Sequence, residues 1–110
     1  SLSGDIFSDA ASGLIGGLGL CPSGCYGKDY AYFEPIHGTA PDIAGQNIIN
    51  PTATIRTAGM MLRHLGYADT ADRLESAIDA VYAAEDRLTP DQGGGATRTE
   101  FCNAVGDRLA

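Results

Sequence analysis

Phe33-Glu34-Pro35-Ile36-His37-Gly38-Thr39-Ala40-Pro41-Asp42-Ile43-Ala44-Gly45, continuing to Asn50-Pro51-Thr52-Ala53, decides how the rest of this chain is read. Small and polar residues crowd here between a β-like run and a strongly patterned helix. Small residues let backbone approach a polar ligand closely, and the His, Thr and Asp side chains can supply hydrogen bonds. The same residues also suit a surface loop punctuated by two prolines and two glycines. Composition alone does not separate the two readings.

Immediately after the loop, Asn50 can cap a helix whose first position suits Pro51, since a missing N–H there costs nothing. Ile55, Ala58, Leu62 and Leu65 mark one face at helical spacing, and Gly66 stops the helix. Ala71, Leu74, Ile78 and Val81 repeat the pattern, predicting a second helix over about 69–85. A loop follows over 89–95. Thr97-Arg98-Thr99-Glu100 then has capping-box spacing ahead of the stripe Phe101, Ala104, Val105, Leu109.

On the other side of the loop, Tyr30-Ala31-Tyr32-Phe33-Glu34 reads as a short aromatic strand. Ile6, Ala10, Gly13 and Leu14 share a face of a short helix over about 5–14, which Gly16-Gly17-Leu18-Gly19-Leu20 breaks. That glycine-rich run leads into a buried strand ending near Pro22. The order is helix, short strands, then three helices, which is α/β material with more helix than one small sheet needs.

With 110 residues the chain has the size of one domain, and such a chain buries somewhat under ~70% of its unfolded surface. Its 15 glycines concentrate in 13–27 and 93–95, which suggests tight turns and backbone that approaches a ligand. Seven Lys plus Arg against 14 Asp plus Glu give a formal charge of −7, against a nucleic-acid or anionic-membrane surface. An anionic ligand would therefore need a metal, helix N-termini or cations from elsewhere. There is no apolar run of transmembrane length. Cys21, Cys25 and Cys102 form no disulfide framework or zinc site, and read as buried structural thiols in a reducing compartment. The opening Ser1-Leu2-Ser3-Gly4-Asp5, without a Met, reads as the start of a fragment.

Asp5 and Asp9 lie one helical turn apart, so both carboxylates project from one face and repel unless a cation sits between them. Oxygen-only ligation suits Mg²⁺ or Mn²⁺, while a solvated first turn accounts for the same spacing. His37 suits a ligand contact or a loop histidine bonded to backbone, and His64 a helix C-terminus. Asp42 could accept both hydroxyls of a ribose diol or cap the turn after Pro41. Tyr and Met residues in the helices read as packing. No Ser-His-Asp or Cys-His set, P-loop or Gly-x-Gly-x-x-Gly fingerprint is present.

Together these segments resemble the C-terminal part of the β-decarboxylating dehydrogenases, which include isocitrate, homoisocitrate and 3-isopropylmalate dehydrogenases. Gly4-Asp5-Ile6-Phe7-Ser8-Asp9 is similar to the metal-binding segment of that family, and the stretch 11–24 to its following strand and turn. The loop 34–53 matches almost throughout. Met60-Met61-Leu62-Arg63-His64-Leu65-Gly66 and Thr89-Pro90-Asp91-Gln92-Gly93-Gly94 continue the resemblance, which covers essentially the whole chain. Two departures stand out: Ser1-Leu2-Ser3 where the family usually has Asn-Leu and one further residue, and Gln92 in place of a common Leu.

The resemblance implies an isocitrate/isopropylmalate dehydrogenase-like α/β fold, with a metal-binding helix 4–14, a nucleotide loop 34–50 and C-terminal helices 51–110. It implies that Asp5 and Asp9 hold Mg²⁺ or Mn²⁺, completed by an acidic ligand of a partner subunit, and that the metal bridges an acidic protein to an acidic substrate. His37, Gly38, Thr39 and Ala40 would line the adenosine side of the cofactor, Asn50 the adenine, and Glu34 the nicotinamide side. NADP-specific members resemble Lys-Tyr after the Ala-Pro pair and Tyr before the later Asp. Asp42-Ile43 and Pro90-Asp91 stand here instead, and a carboxylate suits the free diol of NAD and repels a 2′-phosphate. The implied activity is NAD-dependent oxidative decarboxylation of a small-molecule 2-hydroxy acid, isocitrate or homoisocitrate before 3-isopropylmalate.

The family's substrate arginines and catalytic Tyr and Lys belong to earlier sequence, so this stretch supplies no catalytic residue and should be inactive alone. The intact enzyme is expected to be a homodimer or higher oligomer, in the cytoplasm or, in a eukaryote, the mitochondrial matrix. The competing expectation is a regulatory subunit or nucleotide-binding module of a hetero-oligomeric isocitrate dehydrogenase.

Overall fold

A computed structural model of the chain describes residues 20–109. The expected helix over 5–14, with Asp5 and Asp9, lies outside the described residues.

Two strands, β1 (Pro22–Tyr26) and β2 (Ala31–Pro35), form an antiparallel ribbon. Three helices follow: α1 (Thr52–His64), α2 (Ala68–Ala84) and α3 (Arg98–Leu109). Helix α1 packs on both strands and on α2, and α3 packs on α2. The fold class is α/β as expected.

The first strand differs from expectation. Pro22 opens β1 instead of ending a strand, and pairs with Pro35 at the ribbon's open end, with Cys25 opposite Tyr32. A proline is tolerated at a strand's first position because its missing N–H withdraws nothing from the interior of the ladder. The pairing continues one residue further, where the Ile36 N–H donates to the Cys21 carbonyl at 3.3 Å.

Local signals place the helix ends well. Gly66, at φ 95°, ends α1 in a Schellman motif: its N–H donates to Arg63 O at 3.1 Å and the Tyr67 N–H to Leu62 O at 2.8 Å. The capping box of α3 is reciprocal, with Thr97 N–H to Glu100 Oε1 at 3.0 Å and Glu100 N–H to Thr97 Oγ1 at 3.1 Å. The bond from the Thr97 N–H, followed by the Thr97 side chain, favours the charged Glu100 carboxylate and holds it below its ordinary range.

The core lies between α2 and α3, where Ala77, Ile78 and Val81 meet Phe101, Ala104 and Val105. Ile55, Leu74, Tyr82, Leu88 and Leu109 pack around this cluster. Helix α1 is buried differently from its predicted stripe. Ala53, Thr57 and Gly59 are buried, while Leu65 is 60% exposed. Sandwiched between ribbon and α2, α1 buries small residues that allow close approach, and Leu65 lies beyond its last turn. A Cβ on Gly59 would stand 3.7 Å from Leu74 of α2. Arg56 reaches from α1 to Glu75 at 3.4 Å and Asp79 at 3.5 Å on α2, and to the Leu20 carbonyl at 3.4 Å.

The cysteines also depart from expectation. Cys21 is buried, but Cys25 and Cys102 are exposed. Cys25 lies beside the hairpin turn of the two-stranded ribbon, and Cys102 sits one residue, about 100° of helical rotation, from the buried Phe101.

Candidate functional site

The loop 36–50 turns over the N-terminal end of α1 and meets the 3₁₀ turn Pro90–Gln92, leaving a groove of about 680 Å³ between them. Six residues singled out from sequence line it: His37, Gly38, Ala40, Ile43, Asn50 and Asp91. Three further ones, Ile48, Ile49 and Pro90, supply apolar wall that the sequence reading missed. The signal was present, since two isoleucines inside a polar loop need an apolar neighbour.

The backbone shapes the groove. Ala40 stands in the left-handed region at φ 44° and leads into the 3₁₀ turn Pro41–Ile43, whose Ile43 N–H returns to Ala40 O at 3.1 Å. A non-glycine residue rarely adopts that conformation. Gly45, at φ 80°, turns the chain again. The His37 ring lies 2.7 Å from the Gly38 carbonyl through Nδ1. A carbonyl only accepts, so Nδ1 carries the proton and a neutral ring offers Nε2 as acceptor.

The other named residues stand apart. Asp42 is exposed on the 3₁₀ turn, its carbonyl accepting from Gln46 Nε2 at 3.1 Å, and it does not line the groove. Thr39 lines an adjoining pocket of about 270 Å³ with Arg98, which shares Ala40, Ile43 and Ile49 with the main groove. Glu34 is exposed on β2, opposite Ser23 in the ribbon.

Beneath the groove lies a polar cluster built around Asn50, which is 5% exposed. Its Oδ1 accepts the Thr52 N–H at 3.0 Å, as a capping side chain would, although the helix begins one residue later than expected with Pro51 at the N-cap, and the Thr52 hydroxyl at 2.6 Å. Its Nδ2 donates to the Tyr82 hydroxyl and to Asp91 Oδ2, each at 3.0 Å. The carboxamide is thereby fully engaged within the protein, so a ligand contact at Asn50 has the main chain to use. Thr89, fully buried, donates its hydroxyl to Asp91 Oδ1, and Gln92 Nε2 donates to Oδ2 at 3.2 Å.

The ionisation of Asp91 follows from these bonds. Burial pushes its carboxyl up, but hydrogen bonds from Thr89, Asn50 and Gln92 and from backbone outweigh that and hold it below the usual carboxylate range. The groove therefore presents a charged carboxylate at neutral pH. No Lys or Arg lines it. Among the described residues no cluster of three His, Cys, Asp or Glu forms a metal site, and no helix is long and apolar enough to cross a membrane.

Known proteins share this architecture. A sequence model of the isocitrate/isopropylmalate dehydrogenase family matches residues 1–109. The isocitrate/homoisocitrate dehydrogenase of Thermus thermophilus is 55% identical over 109 residues, covering 99% of this chain and 32% of that protein. Catalytic subunit 5 of the mitochondrial NAD isocitrate dehydrogenase of Arabidopsis thaliana is 49% identical over 110 residues, covering 99% of this chain and 29% of the relative. The crystal structure of isocitrate dehydrogenase from Methylococcus capsulatus superposes with a TM-score of 0.91 at 45% identity, over 96% of this chain and 32% of that one. The chain thus spans about a third of the length of the curated relatives it matches. Membership rests on sequence and fold together, and this chain belongs to the isocitrate/isopropylmalate dehydrogenase family.

Proposed function

We propose that this chain is the cofactor-binding C-terminal part of an enzyme that oxidises a 2-hydroxy acid with NAD and releases the adjacent carboxylate as CO₂. Isocitrate or homoisocitrate is the favoured substrate, with 3-isopropylmalate next. The observation that carries the cofactor assignment is the groove: apolar walls, one carboxylate held in its charged form, and no lining cation.

Adenosine fits those surfaces chemically. Ile43, Ile48, Ile49 and Pro90 offer apolar surface to a flat base. The Asp91 carboxylate accepts from amine or hydroxyl donors, and His37 Nε2 provides a second acceptor. A 2′-phosphate would meet the Asp91 charge, and that of Asp42 nearby in sequence, with no cation lining the groove to offset them. Thr39, in the adjoining pocket, is assigned to the adenosine side of the same dinucleotide and Glu34 to its nicotinamide side. Calorimetric titration of the full-length protein should show NAD⁺ bound at least about tenfold more tightly than NADP⁺. Turnover with NADP⁺ equal to or better than with NAD⁺ would sink the assignment.

Asp5 and Asp9 are assigned to Mg²⁺ or Mn²⁺ on their spacing and on the family resemblance. When bound, the cation supplies Lewis-acid polarisation of the substrate's 2-oxygen. The two carboxylates bind and orient it, since their mutual repulsion is relieved only with a cation between them. In the full-length protein Asp9→Asn should weaken Mn²⁺ binding by at least ~10-fold, by analogy with the cost of losing even outer contacts of a metal site. An unchanged affinity refutes the metal assignment. Loss of turnover in the wild-type protein with NAD⁺ binding intact would favour a regulatory subunit.

A further inference from the structure

The hydroxyl of Tyr82 closes a ring of hydrogen bonds under the groove, and the direction of each bond can be deduced. The Thr52 backbone N–H can only donate, so the atom facing it at 3.0 Å is the Asn50 carbonyl oxygen and the carboxamide has one orientation. The Thr52 hydroxyl gives its proton to the same oxygen at 2.6 Å. Its 2.7 Å contact with Tyr82 must then be donated by the phenol. The phenol oxygen in turn accepts one Nδ2 proton of Asn50, which leaves the second Nδ2 proton for Asp91 Oδ2.

Tyr82 itself does not line the groove. Its ring rests edge-on against the fully buried Phe101, with centroids 5.8 Å apart, so the ring is anchored in the α2–α3 core while the hydroxyl leaves it. A continuous path runs from that core through Tyr82 and Asn50 to the carboxylate in the groove wall.

We propose that Tyr82 is a positioning residue for dinucleotide binding: its hydroxyl fixes the Asn50 carboxamide, which holds the Asp91 carboxylate in its orientation at the groove. The proposal rests on the groove being the dinucleotide site. Closed rings of this kind gain from mutual polarisation, so removing one member loosens the others.

The test is Tyr82→Phe in the full-length protein, which keeps the ring packed on Phe101 and removes only the hydroxyl. The expected result is a five- to tenfold rise in the Kd for NAD⁺, about the effect of one lost hydrogen bond, with Mn²⁺ affinity unchanged. The ¹³C titration of the Asp91 carboxyl, recorded without ligand, should move to higher pH. His37 is the other titratable side chain lining the groove. Thr52→Ser, which retains a hydroxyl in the ring, should keep wild-type values for both readouts. Should Tyr82→Phe not fold, Thr52→Val opens the ring at its next member, retains the backbone cap and should give the same shifts.

A purely structural Tyr82 would lower the melting temperature while leaving the Asp91 titration and the NAD⁺ affinity as they are, and that result overturns the proposal. If the wild-type protein binds no NAD⁺, the dinucleotide assignment fails instead, and the proposal with it.

Discussion

A Phe101→Ala variant is expected to lose ~3–5 kcal/mol of stability, read as a lowered denaturant midpoint in equilibrium unfolding. Phe101 is the largest fully buried side chain of the described residues and stands where α2 and α3 meet. Its neighbours are not placed to refill the space. Ala77 and Ala104 are too small, Ile78 and Val81 are stiff at χ1, and Tyr82 is tied by its hydroxyl to Asn50 and Thr52. A persistent cavity puts the cost at the upper end of the range, a large share of the ~5–15 kcal/mol that a domain commonly has. Phe101→Leu should cost much less, because most of the volume remains. Equal midpoints for Phe101→Ala and wild type would mean that α3 does not contribute to the core.

The second large effect is expected at Asn50. Asn50→Ala removes the acceptor for the Thr52 N–H and hydroxyl and both donated bonds, to Tyr82 and to Asp91, in a single substitution. An N-cap is worth about 1 kcal/mol, and a buried hydroxyl left without its donor costs a further ~1–3 kcal/mol, so a loss of ~2–4 kcal/mol is expected. Nucleotide binding should weaken as well, because the Asp91 carboxylate loses one of its donors at the groove wall.

Asn50→Asp separates the two roles. It keeps an acceptor for the Thr52 N–H but sets a second carboxylate where the amide stood 3.0 Å from Asp91. Two such carboxylates raise one folded-state pKa above its unfolded value. Stability is then present below the unfolded value and is lost as pH rises through the raised one. In the wild type the sign is opposite. Asp91 is depressed, so its contribution is present above the unfolded carboxyl pKa and is lost as pH falls through the folded one. An Asn50→Asp midpoint that does not worsen from pH 4 to pH 7 would contradict the contact with Asp91.

What the sequence revealed was local. The capping box Thr97/Glu100 and the stop at Gly66 involve residues a few positions apart, and both appear in the fold as expected. Predicted helix bounds fall within one or two residues of α1 and α2. His37, Gly38, Ala40, Ile43, Asn50 and Asp91 were named together because a family motif had already joined distant segments, and they line one groove. Non-local pairing was not legible. Pro22 faces Pro35 across the ribbon, and nothing near Pro22 announces that it begins a strand.

Burial was the other gap, because periodicity identifies a face of α1 but not how many elements press on it. Leu65, expected on the buried stripe, is exposed, and Ala53, outside that stripe, is buried for that reason. The bonds from Asn50 to Tyr82 and Asp91 span 32 and 41 positions, and Tyr82, one turn after Ile78, had been read as packing. A tyrosine beside a helix's apolar stripe carries a hydroxyl that must find a partner once the ring is buried. That requirement is the sequence signal that went unused.

The chain contains five tyrosines and no tryptophan. Tyr26, Tyr30, Tyr32 and Tyr67 are each more than half exposed, whereas Tyr82 is shielded, hydrogen-bonded and packed edge-on against a ring. Tyr26 also packs edge-on against Phe33 and beside His64, but from an exposed position, so Tyr82 alone among the five combines ring packing with shielding from solvent. Near-ultraviolet circular dichroism should therefore report on Tyr82 and Tyr26 together, whereas the fluorescence that survives an aqueous quencher should come from Tyr82. The polar cluster beneath the groove carries its own optical label.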